Sequence, residues 1–344
     1  MMFAADNVQR LMFRPIGNLL IFFACNIIEP FYGGFMKALL SVVVPCYNEE
    51  ETVDLFYKAV TEVLNQMEMD HEIIFVNDGS RDHTLDKMLA LYEAHRGEVK
   101  VVNFSRNFGK EGALLAGLKA AKGDYVTVMD ADLQDPPEYL PKMFELMEKN
   151  GDDVVGTRRV TRKGEPALRS WFARQFYKLI NRYTEVEIVD GARDYRLMTR
   201  QVVDSILSLK EYGRFSKGLF VWVGYQCEYL EYENVQRVAG ETKWSFWKLF
   251  RYALDGIIEY TNAPLRVAAW AGGALSLVMA VELIVLLILS LAGKSITGTA
   301  LTISLVLFLG GVILLALGII GEYLAKTYDE VRHRPNYIVK KFYE

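Results

Sequence analysis

Residues 125–137 read YVTVMDADLQDPP, a strand that ends in carboxylates and is followed at once by a helix start. Val126 and Val128 have the spacing of a buried strand, and Asp130 and Asp132 come where that strand leaves its sheet. Proline favours the first turn of the next helix, where a missing N–H costs nothing. Open α/β sheets bind ligands at this edge, and oxygen ligands suit a hard divalent cation shared with a diphosphate. The stretch therefore predicts a cation site, with a polar turn of no chemical role as the alternative.

The rest of the first 160 residues alternates between segments typical of strands and segments typical of helices. The predicted strands are Leu39–Val44, Glu72–Val76, Val99–Asn103, Tyr125–Met129 and Val154–Gly156. The predicted helices are Glu50–Met67, Asp82–His95, Lys110–Lys122 and Glu138–Lys149. Such alternation predicts an α/β fold, with a mostly parallel sheet and helices on both of its faces.

Polar motifs follow three of these strands: PCYNE at 45–49, NDGS at 77–80 and DAD at 130–132. Each motif alone is compatible with an ordinary turn, and Asn-Asp-Gly-Ser is a common turn with a helix cap. Three acidic strand ends in one sheet indicate a ligand site, because the carboxyl ends of parallel strands share one edge. No Gly-x-Gly-x-x-Gly follows the first strand and no Walker-type loop is present, which excludes the common dinucleotide and P-loop sites.

The composition is that of a folded chain, with 51% hydrophobic and 24% charged residues among 344. A formal net charge of −4 argues against general nucleic-acid binding. The three cysteines, Cys25, Cys46 and Cys227, form no disulfide framework and fit a reducing compartment. The averages conceal a division, since the sequence resembles a soluble domain up to about residue 260 and a membrane segment beyond it.

Two apolar stretches lie in this second part. Residues 267–291 contain a single charge, Glu282, and residues 299–321 contain none, so each stretch can cross a hydrocarbon core of about 30 Å as a helix. The short turn between them predicts a helical hairpin. The basic residues that flank the hairpin are Arg251, Arg266, Lys326, Arg332, Arg334, Lys340 and Lys341, against Lys294 alone in the turn. The positive-inside rule then predicts a two-span protein of the cytoplasmic membrane, with both termini and the preceding soluble domain in the cytoplasm.

Two further segments are expected to lie near the membrane surface or between subunits. Residues 245–262 have apolar side chains at helical spacing, which predicts an amphipathic helix in the interface, with a core-facing helix as the alternative. The glycines that permit close helix contact, within the hairpin or between subunits of a homo-oligomer, are Gly310, Gly311, Gly318 and Gly321.

The predicted domain organisation begins with a leader at 1–36, whose apolar run of ten residues at 19–28 is too short to span a membrane. A signal peptide is rejected because no small-x-small cleavage site follows the run, which leaves an interfacial helix or an upstream extension of the reading frame. The remaining segments are a soluble domain at 37–240 and a juxtamembrane amphipathic segment at 241–263. Two membrane helices at 264–324 and a basic cytoplasmic tail at 325–344 follow.

In this order the motifs resemble those of inverting glycosyltransferases of the GT-A fold. The matching segments are VVVPCYNEE (42–50), VNDGS (76–80), SRNFGKEGALLAGLKAAKGDYV (105–126) and DADLQDPPE (130–138). With the membrane hairpin included, the chain is similar to the polyprenyl-phosphate sugar transferases from about residue 38 to its end. This family includes dolichyl-phosphate mannose synthase and the bacterial undecaprenyl-phosphate glucosyl- and N-acetylglucosaminyltransferases. The resemblance implies a Rossmann-like GT-A domain followed by the interfacial helix and the hairpin.

The resemblance also implies the residues that bind the donor. Those implied to bind the nucleotide are Pro45, Tyr47, Glu49, Asp78, Lys110 and Asp130. Those implied to hold Mg²⁺ or Mn²⁺ are Asp130, Asp132 and Gln134. Lys110 lies near a helix start, where the helix dipole also favours an anion, and the metal would screen the diphosphate and stabilise the leaving nucleotide. Asp135 has a simpler explanation, because it precedes two prolines and can cap the following helix.

Asp132 and Asp194 are the expected catalytic residues, Asp194 because the segment GARDYRL at 191–197 matches the family's acceptor-side segment. The family's carboxylate at this position is often proposed as a base. A phosphomonoester, however, is mostly dianionic at neutral pH, since its second pKa is near 6, and needs positioning more than deprotonation. We therefore expect Asp194 to orient the acceptor or the sugar, with base catalysis as a second possibility and an ion pair with Arg193 or Arg196 as the structural alternative.

Cations are expected where two anionic substrates meet, although a solvated helix face is the alternative for the basic run at 158–182. The residues predicted to hold the acceptor phosphate are Arg158, Arg169, Arg214, Lys217, Arg237 and Lys243. Arginine suits bidentate phosphate contact, while lysine acts as a point charge.

The function that these expectations favour is transfer of one hexose, with inversion, from a nucleotide-diphospho-sugar to undecaprenyl phosphate for cell-envelope glycosylation. UDP-glucose and UDP-N-acetylglucosamine are the favoured donors. The alternatives are a GDP-mannose-dependent polyprenyl-phosphate mannose synthase, a processive polysaccharide synthase and a non-catalytic membrane scaffold. A processive synthase is disfavoured because no Gln-x-x-Arg-Trp element is present and two spans are few for a polymer channel.

Overall fold

The computed structural model describes residues 37–160, 181, 189–232, 258, 261, 263–292 and 298–344. Every helix and strand among them belongs to the unit Leu39–Glu344, the larger of two units in the chain. The predicted leader, most of the juxtamembrane amphipathic segment and three of the predicted phosphate ligands (Arg169, Arg237 and Lys243) lie outside the described residues.

Eight strands of the described residues form one sheet. In chain order they are β1 Leu39–Cys46, β2 Asp70–Asn77, β3 Val99–Phe104, β4 Tyr125–Val128, β5 Val154–Arg159, β6 Ala192–Thr199, β7 Cys227–Tyr232 and β8 Val339–Tyr343. The first five were predicted, because each is a buried run rich in β-branched residues between turn signals. The last three follow less regular stretches of sequence and were not predicted.

Eight α-helices with described bounds connect or follow the strands. They are α1 Val53–Leu64, α2 Thr84–Ala94, α3 Lys110–Ala120, α4 Leu140–Asn150, α5 Arg200–Ser208, α6 Ser216–Trp222, α7 Ala263–Leu291 and α8 Thr299–Val331, with a short 3₁₀ turn at Pro137–Tyr139. The first four match the predicted helices and alternate with the strands, as expected for right-handed crossovers in an α/β sheet.

The strand order across the sheet is β7-β5-β6-β4-β1-β2-β3-β8. Strands β4, β1, β2 and β3 are mutually parallel, and β5 is parallel to β7. Strand β6 lies antiparallel between β4 and β5, and β8 pairs antiparallel with β3 at the far edge. The prediction of a mostly parallel α/β sheet is therefore confirmed, with β6 and β8 as the antiparallel additions.

Each face of the sheet is covered by its own apolar layer. On one face Phe56 and Met143 from α1 and α4 are fully buried against the strands. On the other face α3, α5 and α6 contribute side chains such as Leu114 and Phe220. Helix α3 approaches the sheet so closely that a Cβ at Gly117 would lie 2.2 Å from Val43 Cγ1, so that only glycine fits there without displacement.

Strand β8 lies within the predicted basic tail and returns the end of the chain to the catalytic sheet. Its register pairs Val101 with Tyr343 and Phe104 with Val339. The terminal residue Glu344 pairs with Lys122 and, at 3.2 Å, with the buried ammonium of Lys100. The tail is thus an edge strand held by a charged anchor at its last residue.

The two predicted apolar stretches lie in α7 and α8, which pack against each other. Helix α8 continues ten residues past the predicted end of its span at 321. Among the described residues one stretch, Phe308–Val331, has the length and apolar composition needed to cross a membrane. A Cβ built on Gly310, Gly311, Gly318 or Gly321 would meet no described atom within 4 Å, so these glycines do not mediate a described contact within the helix pair.

Candidate active site

The three predicted polar strand ends meet because β1 lies between β4 and β2. Their backbones are joined directly: Asp78 N–H donates to the carbonyl of Cys46 at 2.9 Å, and Met129 N–H donates to that of Val43 at 3.0 Å. The carboxyl edge of the sheet therefore collects the segments 45–49, 77–80 and 130–134, as the sequence predicted.

Lys110, the first residue of α3, bridges two carboxylates at this edge. Its ammonium lies 2.7 Å from Asp130 Oδ1 and 2.7 Å from Asp194 Oδ2. Strand β6 brings Asp194 there, because its pairing with β4 ends at Val128 and Arg196, two residues from Asp130 and Asp194. The structural alternative for Asp194 is thereby corrected, since its ion-pair partner is Lys110 rather than a neighbouring arginine.

The close charges shift the pKa values of this group. Burial by itself would raise the pKa of Asp194, but the positive charges of Lys110 and Lys217 outweigh it and hold that pKa well below its usual range. Burial would likewise lower the pKa of Lys110, and the carboxylates of Asp130 and Asp194 instead raise it. Lys110 and Asp194 are therefore both charged at neutral pH. The Oδ1 oxygen of Asp194 is buried and accepts no hydrogen bond from a described residue.

Asp132 and Gln134 form a tight turn directly after β4. Gln134 N–H donates to Asp132 Oδ1 at 3.1 Å, and Leu133 between them has a φ of +54°. A leucine in the left-handed region is strained, and such strain is common at ligand-binding turns. The turn explains how carboxylates two residues apart remain on the same edge of the sheet.

The predicted metal ligands differ in side chain but share one kind of ligand atom. Asp130, Asp132 and Gln134 all offer oxygen atoms, which suit Mg²⁺ or Mn²⁺. Within the described part of the chain no three His, Cys, Asp or Glu side chains converge as a ready-made metal cage. Mg²⁺ usually needs only one or two protein carboxylates when substrate phosphates complete its shell, so this donor set fits a metal that arrives with a diphosphate.

Asp78 organises the loop before α3. Its two oxygens accept hydrogen bonds from the backbone N–H groups of Phe108 at 2.6 Å and Gly109 at 3.0 Å. Burial raises its pKa, and these two hydrogen bonds partly oppose the rise. The next residue must be glycine, because Gly79 has a φ of +65° and a Cβ there would lie 2.4 Å from the carbonyl carbon of Arg106. The contact of Asp78 with a nucleotide base stays a prediction.

The segment at 45–49 is held by a residue that the sequence analysis did not single out, Asn48. Its N–H donates to Ser80 Oγ at 3.0 Å, its side chain accepts from Arg81 N–H at 2.9 Å, and its φ is +54°. Asn48 thus fastens the first polar motif to the second and fixes the backbone that presents Pro45, Tyr47 and Glu49. The roles of those three residues in nucleotide binding stay predictions.

Asp135 does not cap the helix that follows it, so that interpretation was wrong. Pro136 is the residue before the 3₁₀ turn and no side chain caps it. Asp135 is 1% exposed and receives hydrogen bonds from Tyr232 Oη and from Arg193, whose Nε lies 3.0 Å away. It is a buried anchor that joins the loop after β4 to β6 and β7.

Three of the predicted phosphate ligands, Arg158, Arg214 and Lys217, lie among the described residues. Arg158 donates from Nε to the carbonyl of Asp190 at 3.1 Å, and Arg214 donates to the carbonyl of Leu209 at 2.9 Å. Lys217, at the start of α6, lies close enough to Asp194 to lower the pKa of that carboxyl. Arg158 and Arg214 thus hold backbone carbonyls, whereas the positive charge of Lys217 acts on Asp194.

Glu111 is a further carboxylate of the site that the sequence analysis missed. It accepts hydrogen bonds from the backbone N–H and the hydroxyl of Ser216, at 3.2 and 3.1 Å. Burial and the negative charge of Asp194 raise the pKa of Glu111 to about 7, despite the contacts from Ser216 and the charge of Lys110. Glu111 joins α3, which carries Lys110, to α6, which carries Lys217.

Comparison with known proteins identifies the family. Residues 41–207 match the family described as glycosyl transferase family 2. An uncharacterized glycosyltransferase of Synechocystis sp. (strain ATCC 27184 / PCC 6803 / Kazusa) is 43% identical over 88% of this chain and 95% of its own. The chain belongs to glycosyl transferase family 2. The prophage-derived bactoprenol glucosyl transferase of Shigella flexneri is 40% identical over 88% of this chain and 97% of its own.

A family 2 domain accounts for the position of the candidate site, because the matched residues include all three polar strand ends, Lys110 and Asp194. Among solved structures, glucosyl-3-phosphoglycerate synthase from Mycobacterium tuberculosis covers 64% of this chain and 78% of its own, with a TM-score of 0.45 and 20% identity. The segment matched by the family model ends at residue 207, before Lys217 and the two long helices.

Proposed function

We propose that this family 2 glycosyltransferase transfers one glucose from UDP-glucose to undecaprenyl phosphate with inversion. Relatives that share about nine-tenths of the chain carry the name bactoprenol glucosyl transferase, which supports both the sugar and the lipid. UDP-N-acetylglucosamine is the second candidate donor, and GDP-mannose the third.

The donor would bind along the carboxyl edge of the sheet. Asp132, Asp130 and Gln134 would hold Mg²⁺ or Mn²⁺, which supplies Lewis-acid stabilisation of the departing nucleotide diphosphate. Lys110 contributes a fixed positive charge between Asp130 and Asp194, near the helix start that favours anions. Asp78 and the segment 45–49, fastened by Asn48, would hold the base and ribose.

The acceptor side combines Asp194 with Lys217. A prenyl phosphate that is already dianionic needs orientation rather than deprotonation. The low pKa of Asp194 makes it a weak base, while its unpartnered oxygen offers a hydrogen-bond acceptor to a sugar hydroxyl. Lys217 supplies the point charge for the acceptor phosphate, and Arg158, Arg214 and the basic residues at 169, 237 and 243 remain further candidates.

The membrane arrangement is carried by one observation, the return of β8 to the catalytic sheet. Strand β8 follows α8 and pairs with β3, so the chain returns to the same sheet after the helix pair, which supports an even number of membrane crossings. Each apolar stretch is long enough to cross, so two crossings satisfy both the sheet and the sequence. Strand β8 begins beside Phe104, at the carboxyl edge, so the helix pair joins the domain on the side of the site.

The remaining membrane features are part of the same proposal. Residues 245–262 would lie in the cytoplasmic interface, both termini would be cytoplasmic, and the glycines of α8 would be available for contact between subunits of a homo-oligomer.

A donor screen tests the function directly. Purified full-length protein is given undecaprenyl phosphate, Mg²⁺ or Mn²⁺, and radiolabelled UDP-glucose, UDP-N-acetylglucosamine or GDP-mannose, and the lipid product is sized. We expect one glucose per lipid. Preferred use of GDP-mannose would favour the mannose synthase, a ladder of products would favour a processive synthase, and no transfer with any donor would contradict the proposal.

A further inference from the structure

A short loop links the end of α8 to the candidate active site. The backbone N–H groups of Tyr212 and Gly213 donate to Glu330 Oε1 at 2.8 and 3.2 Å. The carbonyl of Tyr212 accepts a hydrogen bond from Asn336 Nδ2 at 2.7 Å. Three backbone groups of this loop are therefore satisfied by side chains that follow the predicted span at 299–321.

The other end of the loop is fixed to the site itself. Ser216 donates to Glu111, whose neighbour Lys110 bridges Asp130 and Asp194. The residue after Ser216 is Lys217, whose positive charge lowers the pKa of Asp194. The loop 212–217 thus lies between the carboxylate cluster and the carboxyl end of α8.

Glu330 occupies a position that a helix by itself disfavours. It lies in the last turn of α8, where the helix dipole is unfavourable for a carboxylate. Its neighbour Asp329 is compensated within the helix by Arg332, at 3.7 Å. Glu330 is instead compensated by the two loop amides, so the helix end and the loop stabilise each other.

We propose that Glu330 is a positioning residue that sets the acceptor loop 212–217, and with it Lys217, at a fixed depth relative to the membrane. The inference rests on the proposed transfer to a prenyl phosphate. Helix α8 is continuous from the predicted span at 299–321 to Glu330, and nine residues of helix beyond Gly321 span about 14 Å. The part of α8 beyond Gly321 sets the distance of Lys217 from the membrane surface, where the lipid phosphate lies. The nucleotide sugar is soluble, so its binding does not depend on that distance.

Glu330→Ala in full-length protein is the test, with the KM values for undecaprenyl phosphate and UDP-glucose measured separately. We expect the acceptor KM to rise about tenfold, the factor that one charge-assisted hydrogen bond represents, and the donor KM to change less than twofold. Glu330→Gln keeps one carbonyl oxygen for the loop amides and should restore most of the acceptor KM. Asp329→Ala removes the same charge from the same helix turn and should leave both KM values unchanged.

Hydrogen exchange of the amides at 212–213 gives a readout that does not need activity. These amides should exchange faster in Glu330→Ala than in Asp329→Ala. An unchanged acceptor KM, an equal rise of both KM values, or unchanged exchange would each overturn the role of Glu330. Absence of transfer to undecaprenyl phosphate by the unsubstituted protein would instead overturn the proposed function, and the two failures are therefore distinguishable.

Discussion

The residues proposed to bind the donor, here called the donor edge, and those proposed to bind the acceptor, here called the acceptor edge, are built in different ways. On the donor edge, Asp78, Asp130 and Asp132 belong to short motifs directly after adjacent parallel strands. On the acceptor edge the contacts join distant parts of the sequence: Lys110 to Asp194 across 84 residues, and Tyr212 to Glu330 across 118. The difference teaches that the first set of groups is encoded in local motifs, whereas the contacts of the second set depend on pairing between distant parts of the chain.

Substitution of Asp132 tests the donor edge by itself. Asp132→Ala removes a proposed metal ligand, so we expect transfer to fall at least about a thousandfold while the protein stays folded. Mn²⁺ binding in the presence of UDP, followed by electron paramagnetic resonance, should weaken in parallel. Glu138→Ala, an exposed carboxylate of the same loop, is the control and should keep both properties. Full activity of Asp132→Ala would remove this residue from the metal site.

Lys110 joins the two edges, and its substitution should affect both. Lys110→Ala leaves Asp130 and Asp194 without their shared counter-charge, so we expect kcat/KM to fall about a hundredfold to a thousandfold, the range for losing one preorganised charge or donor. Lys119→Ala, an exposed lysine of the same helix, is the control and should retain activity. A loss confined to the KM of one substrate would indicate that Lys110 serves a single edge.

Much of the donor edge was predictable from the sequence, and the physical reason is locality. The alternation of β1–β5 with four helices sets the parallel core, and parallel strands bring their carboxyl ends together without further information. The Lys110–Asp194 pair was not predictable, because β6 inserts antiparallel between β4 and β5 and no local pattern specifies that choice.

The misinterpretation of Asp135 has the same origin. Its position before two prolines is a good local reason for a helix cap, but the partners that decide its role, Arg193 and Tyr232, lie 58 and 97 residues away. Strand β8 escaped prediction for a related reason, since Val339–Tyr343 is short and basic and becomes a strand by pairing with the free edge of β3. Long-range pairing thus determined what local propensity left open.

Asp135→Ala tests whether the buried anchor supports the fold rather than the chemistry. It would leave Arg193 largely buried without its carboxylate, so we expect a loss of about 3–5 kcal/mol in the free energy of unfolding. Chemical denaturation of the purified protein measures this. Asp204→Ala removes an exposed carboxylate that lies 3.7 Å from Arg200, and such a pair contributes at most about 0.5 kcal/mol. Equal stabilities of the two variants would show that Asp135 is not the anchor described above.

Glu111 provides the smallest and most specific test of how the two edges are joined. Because burial raises its pKa from 4.5 to about 7, the folded state binds more protons than the unfolded state between those values. The contribution of Glu111 to the free energy of unfolding therefore falls as pH rises through this window and is constant above it.

In Glu111→Gln this contribution is absent, so the stability of the unsubstituted protein relative to the variant should be lower at pH 8 than at pH 5, by on the order of 1 kcal/mol after solvent screening. Denaturation of both proteins at the two pH values measures the difference, in which the titration of all shared groups cancels. A difference that does not change with pH would mean that Glu111 is not held in the buried contact with Ser216, and the link from Lys110 to the acceptor loop would then have to run through Asp194 alone.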